Sequence, residues 1–308
     1  MEDRGTLEVL SNAFKISKDP QAIDRNGRPI RILEVYCGGM MRGAYAASAS
    51  AVLQNAGLGN VAVAYGAYSA GGPTALAKEL KLAHLTAPVY EQLEDLEIFK
   101  RAKGRLTFDL SRLMATLGPI FDESAIQDMR AEVHMIVTDP ETGDHELLDV
   151  KRSMPNGKAA IAATMAMPML YPCVEVNGFK WCDGAWANLK LALAALIKKF
   201  HPTDIMVFVN SPKYPDFLER MGTFYGNQVS QSTTAAIKRR TALMDADVED
   251  ALDWLVGLPK VRSWIARPDS TKGFFPWTTA PRIVRLAIDE MRSFMEGKLE
   301  DAYAGKFA

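Results

Sequence analysis

Two strand-turn-helix units follow each other near the start of the chain, and they constrain the fold more than any other feature of the sequence. Residues 30–36 and 61–65 predict short buried strands, and each strand is followed by a glycine-containing turn and a predicted helix, at residues 42–56 and 74–83. Because strands that are connected through helices run parallel, this order predicts an α/β fold built on a parallel sheet.

The remainder of the chain predicts further strands and a mostly helical end. Residues 91–129 look mainly helical, and a hairpin is predicted for residues 132–138 and 146–150. Later predicted elements are a helix at 158–167, strands at 173–176 and 179–182, a helix at 187–200, and strands at 205–210 and near 264–267. We therefore expect a polar leader at residues 1–28, a catalytic core at 29–212, and a mostly helical part at 213–308 that packs on the core.

Composition excludes several classes of function. The chain has 308 residues, 48% of them hydrophobic, with 36 Lys and Arg against 37 Asp and Glu. Such a balance gives no broad positive field, so a nucleic acid is not expected as a partner. The start of the chain lacks an apolar signal segment, and the apolar residues 159–172 are too short and too interrupted for a bilayer span. We expect a cytoplasmic protein, with peripheral membrane contact left open by the Lys238, Arg239 and Arg240 cluster.

The cysteines and histidines predict no metal, cofactor or disulfide framework. The three cysteines, Cys37, Cys173 and Cys182, show no C-x-x-C spacing. The four histidines are scattered singly along the chain, without the spacing of metal ligands. The oligomeric state cannot be read from the sequence.

The most informative segment for chemistry is the elbow turn, residues 66–72, which lies between a predicted strand and a predicted helix. Ser69 is at its centre, and small residues, Ala67 and Gly71, stand two positions before and after it. This pattern resembles a nucleophile elbow, in which a sharp turn exposes a serine hydroxyl at the beginning of a helix. Ala67 departs from the usual glycine by one methyl group. A plain turn with a helix-capping serine is the alternative.

The glycine loop, residues 38–43, follows the preceding strand and should face the same edge of the sheet as Ser69. Gly38 and Gly39 would allow main-chain amides to turn toward a developing oxyanion. Arg42 could orient the loop, meet an anionic head group or form a surface salt bridge. A dinucleotide site is the competing interpretation, but the next predicted strand ends at Tyr65 and not at an acidic residue.

An aspartate completes the set: Asp183 stands directly before Gly184, within a D-G-A-x-x-N pattern at residues 183–188. The predicted strand, the G-G-x-x-R-G loop, the S-x-G turn and this pattern together resemble the patatin-like phospholipase family, mainly over residues 30–212. The segment Ala166-Met167-Pro168 also resembles that family's A-x-P stretch.

The resemblance implies a three-layer fold, with helices on both faces of a mostly parallel sheet, and a serine hydrolase that acts on a lipid or other acyl ester. It implies that Ser69 is acylated and that Asp183 takes its proton. The oxyanion would be held by the amides of Gly38, Gly39 and Met40, with Arg42, Gly43, Gly71 and Gly184 supporting the site. Met40 replaces a glycine of the family pattern, so the chain departs from that pattern at the oxyanion hole.

Histidine placement is consistent with a Ser-Asp dyad. Only His201 follows Asp183, as a Ser-acid-His order would require, and it should lie at the beginning of a strand, away from the elbow turn. Two other functions stay open: a catalytically weak binding or regulatory protein, motivated by Ala67 and Met40, and a nucleotide-binding oxidoreductase on a similar sheet.

Overall fold

The structure is a computed structural model that describes residues 2–102, 105–118, 121–168, 170–211, 247–268, 274 and 280–304. The Lys238, Arg239 and Arg240 cluster lies outside the described residues, as does much of the predicted helical part after residue 212. Helices α1 to α10 are Glu2–Lys18, Gly43–Leu53, Gly71–Glu79, Ala83–Gln92, Leu110–Leu117, Glu123–Gln127, Gly157–Thr164, Leu189–Phe200, residues 247–256 and Pro281–Tyr303. Strands β1 to β10 are Ile32–Tyr36, Ala62–Ala67, Phe99–Ala102, Arg105–Phe108, Glu132–Thr138, His145–Asp149, Val174–Val176, Phe179–Asp183, Asp204–Phe208 and Arg262–Ala266.

The central sheet has the strand order β10-β9-β1-β2-β5-β8-β7, and β6 pairs with β5. The five strands from β10 to β5 are parallel, whereas β6, β7 and β8 are antiparallel additions at one side. A second sheet contains only the β3-β4 hairpin. The prediction of a mostly parallel α/β sheet is confirmed.

Successive side chains of each strand point to opposite faces of the sheet, so the interior has two cores, one on each face. In β1, Ile32 and Tyr36 belong to the larger core with residues of α1, α2, α3 and α10. Leu33 and Val35 point to the smaller core, where they join residues of α8 and α9. Because both faces of the parallel strands are covered by helices, the expected three-layer architecture is confirmed.

The pairing of β5 brings two distant parts of the chain together at one edge. Met135 pairs with Leu148 of β6 and with Ala67 of β2, whereas Val137 pairs with Glu146 of β6 and with Asp183 of β8. One edge of β5 pairs with β6. The other edge pairs first with β2, as far as Ala67, and then with β8. The end of β8 therefore lies beside the turn that follows β2.

One prediction of local structure is wrong. Residues 91–129 are not mainly helical, because they contain the β3-β4 hairpin, whose four-residue strands are too short for the sequence pattern to predict them. The leader contains the 17-residue helix α1, and Val9, Leu10 and Ala13 of that helix are fully buried in the larger core. Among the described residues, no helix is both long and apolar enough to cross a membrane.

Candidate active site

The elbow turn connects the end of β2 to the beginning of α3. Ser69 has a φ of 53°, in the left-handed region that residues other than glycine rarely occupy. Its main-chain N–H donates to the carbonyl oxygen of Thr164 at 2.9 Å and to the Thr164 hydroxyl at 3.1 Å. These bonds hold the strained conformation, and the 6% exposed Ser69 borders an internal cavity.

Gly71 is required because the main chain of the elbow turn passes very close to the main chain at the end of β1. A Cβ atom at this position would overlap the carbonyl oxygen of Tyr36 and lie 3.0 Å from that of Cys37, both at the end of β1. Main-chain atoms in a central strand cannot move aside without disturbing the sheet. The small residue two positions after Ser69 therefore has the steric reason that the sequence pattern predicts.

The glycine loop and the elbow turn are in direct contact, as expected for two loops at the same edge of the sheet. A Cβ on Gly38 would lie 2.7 Å from the Cβ of Ser69. Gly43, at the start of α2, faces Ala70, whose Cβ would lie 2.8 Å from a Cβ placed there. Only glycines allow the loop to pack this tightly on the turn.

The main-chain groups of the glycine loop have different partners. The carbonyl oxygen of Gly39 accepts a hydrogen bond from the Arg42 N–H at 3.0 Å, and the amide of Gly38 lies close enough to the Tyr68 hydroxyl to oppose the rise of its pKa. The N–H groups of Gly39 and Ala70 donate to no protein acceptor among the described residues. Met40 has a φ of 50°, so the residue that replaces a family glycine occupies a conformation that favours glycine.

Arg42 does not fit one of the roles considered for it. Its side chain is only 3% exposed, and the residue precedes the first turn of α2. Because Arg42 is buried, it does not have the surface location that a surface salt bridge assumes, and its role at the site stays a prediction. A buried Arg42 is consistent with a role in orienting the glycine loop.

Asp183 ends β8 and is held on several sides. Its N–H donates to the carbonyl of Ala166 at 3.0 Å, and its own carbonyl accepts from the Thr138 hydroxyl at 2.9 Å. Oδ1 accepts from the N–H of Ala185 at 2.8 Å. A Cβ on Gly184 would lie 2.7 Å from the Cβ of Tyr68, so Gly184 lets the turn after Asp183 pack against the elbow.

The carboxyl of Asp183 is fully buried, and burial raises its pKa to about 7, against the lowering effects of the Ala185 N–H and the Ser69 hydroxyl. Because the Ser69 hydroxyl lowers the pKa of Asp183, this hydroxyl lies beside the carboxyl. Oδ2, however, has no hydrogen bond of normal geometry with any described group. Since Oδ1 accepts from Ala185, Oδ2 is the carboxyl oxygen that is open to a further donor.

An apolar cavity opens beside Ser69. Its wall comes from the elbow turn and α3, from α4, from the β3-β4 hairpin and α5, and from the methionines of the glycine loop and the segment after α7. The lining side chains include Met40, Val89, Leu93, Phe108, Leu113 and Met165. Leu170 and Met40 also pack on a cluster of Met167, Cys182 and Trp186 next to Asp183. An extended hydrocarbon group is the chemistry that such a wall accommodates.

Comparison with known proteins is decisive for the family. The model of the patatin-like phospholipases matches residues 35–196, which include the glycine loop, the elbow turn and Asp183. The chain belongs to the patatin-like phospholipase family. Patatin-like phospholipases are, as a family, lipid acyl hydrolases, so this is the general class of the chain.

Two other comparisons add less. The solved structure of VipD from Legionella pneumophila is similar with a TM-score of 0.38 and 12% sequence identity, over 90% of this patatin-like chain and 70% of that chain. No curated protein sequence gives a significant match.

Several residues around the patatin-like site were not identified from the sequence. Thr164 and Thr138 hold the backbones of Ser69 and Asp183, and Asn210 contacts the glycine loop. Isolated polar residues at the ends of predicted elements give no signal of these long-range contacts. His201 is the C-cap of α8 and precedes β9, at the opposite end of the parallel strands from Ser69, as expected.

A cluster of potential metal ligands lies away from this site. Donor atoms of Glu132, His134 and Asp149 lie within 4.8 Å of one another. The Lys199 ammonium, however, is 2.6 Å from Oε2 of Glu132 and 3.1 Å from Nε2 of His134. The cluster thus contains its own cation and has the character of an ion-pair network.

Proposed function

We propose that this chain hydrolyses lipid acyl esters by a Ser-Asp dyad, with Ser69 as nucleophile and Asp183 as general base. The observation that carries the proposal is the meeting of these two side chains beside an apolar cavity. The Ser69 hydroxyl lowers the pKa of the fully buried Asp183 carboxyl, as a hydroxyl beside it would, and Oδ2 of this carboxyl has no described hydrogen-bond partner. A base that is buried and has a raised pKa is matched to proton transfer near neutral pH.

The reaction follows from these positions in two steps. Oγ of Ser69 attacks the ester carbonyl carbon while its proton moves to Oδ2 of Asp183. The C–O bond of the ester then breaks, and the leaving alcohol takes the proton from Asp183. A water molecule attacks the acyl-enzyme and loses one proton to Asp183. The bond between the acyl carbon and Oγ of Ser69 then breaks, Asp183 returns the proton to Oγ, and the carboxylic acid leaves.

The oxyanion of each tetrahedral intermediate needs main-chain donors. The glycine loop is the proposed source, from the amides of Gly38, Gly39 and Met40. Of these, the Gly39 amide has no described protein acceptor, and the Gly38 amide lies beside the Tyr68 hydroxyl. The amide of Ala70, at the start of α3, is an additional donor favoured by the helix dipole.

The substrate proposed here is an ester with a hydrocarbon acyl chain. Side chains of α4, the β3-β4 hairpin and α5 surround the space beside Ser69, and most of them are apolar. A lipid acyl chain would bury its surface there at about 25 cal/mol for each Å² removed from water. Peripheral contact with a membrane surface, which would supply such a substrate, is part of the proposal. So is the division that places the catalytic core at residues 29–212.

The first test is covalent labelling with a fluorophosphonate probe, followed by mass spectrometry of the peptides. We expect a single adduct on Ser69 and none in the Ser69→Ala variant. Ser48→Ala is a matched control, because Ser48 is also a buried serine but donates to the carbonyl of Ile288, away from the cavity. That control should label like the wild type.

The labelling result also separates the alternatives. If the folded wild type neither labels nor hydrolyses aryl esters of short and long chain length, the catalytically weak binding protein is the better account. A tight complex with a dinucleotide, together with absence of labelling, would favour the oxidoreductase.

The pH dependence of the reaction gives a second test. Asp183 must be ionised to act as base, and its pKa is about 7, so kcat/KM for an aryl ester should fall about tenfold per pH unit below pH 7 and level off above it. The neighbours Tyr68 and Cys182 should not contribute. Burial raises the pKa of Tyr68, and hydrogen bonding to Cys173 together with burial raises that of Cys182, so both stay neutral. A level profile from pH 5 to pH 8 would contradict the role of Asp183.

A further inference from the structure

Asn210 follows β9 and is only 1% exposed. Its side chain makes three hydrogen bonds to main-chain groups around the glycine loop. Its Nδ2 donates to the carbonyl oxygen of Cys37 at 2.6 Å and to that of Gly38 at 3.3 Å. Its Oδ1 accepts from the N–H of Ala46, in the first turn of α2, at 3.0 Å. The side chain thus connects the end of β9 to both ends of the loop.

The orientation of the Asn210 amide is fixed by the chemistry of its partners. An N–H group needs the oxygen of the side chain, and two carbonyl oxygens need its nitrogen, so only one arrangement satisfies all three contacts. The approach is also close sterically, because a Cβ on Gly39 would lie 2.7 Å from the Cβ of Asn210. The loop and the asparagine therefore have little freedom to move separately.

These contacts determine where the loop amides point. In a trans peptide, the carbonyl of one residue and the N–H of the next point in opposite directions. A bond from Asn210 to the Gly38 carbonyl therefore turns the Gly39 N–H away from Asn210. The bond to the Cys37 carbonyl likewise sets the direction of the Gly38 N–H. The next peptide is fixed in the same way by the bond from the Arg42 N–H to the Gly39 carbonyl.

We propose that Asn210 is a positioning residue for the oxyanion hole, holding the carbonyls of Cys37 and Gly38 so that the Gly39 amide faces the ester oxygen. The inference rests on the proposed function, because it concerns the donor that serves the Ser69 acylation step. Asn210 does not touch the substrate and acts only through the glycine loop. An amide side chain suits the task, since it supplies two donors on one atom and an acceptor on the other.

The test uses Asn210→Asp in the full chain, with Asn210→Ser as a second variant of smaller volume. Aspartate keeps the shape and the acceptor for Ala46 but directs an oxygen at two carbonyl oxygens. For a soluble aryl ester we expect kcat to fall by about tenfold to hundredfold, approaching the loss caused by removing one oxyanion donor, with KM changed less than about twofold. Binding of a boronic acid that mimics the tetrahedral intermediate should weaken by a similar factor. Asn210→Ser should show the same pattern.

A matched control is Asn12→Ala. Asn12 is also a buried asparagine at the other end of β9, where its Nδ2 donates to Oδ1 of Asp204 at 3.0 Å. This variant should lose stability while keeping kcat and boronic acid binding per folded molecule. Circular dichroism and thermal unfolding establish the folded fraction of each variant.

The outcomes distinguish the two proposals. If the wild type labels at Ser69 but folded Asn210 variants keep kcat within about twofold, the positioning role is wrong and the dyad stands. If the Asn12 control loses kcat and boronic acid binding as the Asn210 variants do, the effect is merely structural and the inference is also overturned. If the wild type does not label at all, the proposed function itself fails.

Discussion

Replacing Asp183 by asparagine is expected to abolish most activity and at the same time to stabilise the protein above pH 7. The variant keeps the shape of the side chain and an oxygen for the Ala185 N–H, but it cannot accept the proton of Ser69. Removing the orienting acid of a hydrolase triad lowers kcat by about 10⁴-fold. We expect a loss of about 10³- to 10⁴-fold here, since Asp183 is the proposed base itself.

The stabilisation follows from the raised pKa of Asp183. In the unfolded chain this carboxyl ionises near its ordinary value of 3.8, but in the folded state only near pH 7, because burial disfavours the charge. Between these values the unfolded state binds fewer protons, so stability falls as the pH rises. The accumulated loss at pH 8 is roughly 4 kcal/mol at most. Asparagine carries no charge and avoids this loss, although its own buried N–H groups offset part of the gain.

Thermal unfolding at pH 5 and pH 8, together with ester hydrolysis at pH 8, measures both effects. Asp183→Asn should have a higher Tm than the wild type at pH 8, with a smaller difference at pH 5. The matched control is Asp24→Asn, because Asp24 is also buried but is paired with Arg28 at 2.9 Å and Arg262 at 3.0 Å. Although burial alone would raise its pKa, these hydrogen bonds hold the pKa of Asp24 well below its usual range. Asp24→Asn should therefore lower Tm at pH 8 and leave kcat unchanged.

A result with wild-type kcat in folded Asp183→Asn would remove this residue from the mechanism. If Asp183→Asn instead loses activity and has a lower Tm than the wild type at pH 8, the Asp183 charge does not destabilise the folded protein, and the predicted stabilisation is wrong.

Adding one methyl group at Gly71 should damage both stability and activity. In Gly71→Ala the new Cβ would overlap the Tyr36 carbonyl oxygen, a main-chain atom of the central strand β1. The turn must move away from the sheet, and the free energy of unfolding should fall by about 3 kcal/mol, at the upper end for overpacking. Since Ser69 is two residues away, kcat should fall about hundredfold, as expected for a displacement near 1 Å.

Chemical denaturation and ester hydrolysis of the folded fraction test this prediction. Gly297→Ala is the control, because Gly297 lies within α10 and a Cβ there would meet no atom within 4 Å. Alanine in a helix interior should stabilise that variant by about 0.5–1 kcal/mol and leave kcat unchanged. Equal stability of Gly71→Ala and wild type would show that the elbow turn tolerates a looser path than the one described.

The sequence by itself determined the parts of the protein that have local signatures. Two strand-turn-helix units, small residues on both sides of Ser69, and an aspartate before a glycine turn were enough to predict the parallel sheet and the family. The hairpin of β5 and β6 was also predicted, because its turn residues and its apolar strands are adjacent in the chain. Each of these features has a pattern that can be recognised within a short stretch of the sequence.

Only the tertiary structure decided how these parts meet. The β8 strand reaches Ser69 because it continues the edge of β5 that β2 leaves, and no local pattern encodes that pairing. The contact of Asn210 with the glycine loop joins residues more than a hundred positions apart, as does the packing of α1 into the larger core. Local propensity acts over a few residues, whereas the burial of Asp183 and the direction of the loop amides are fixed by packing between segments that meet only after the chain folds.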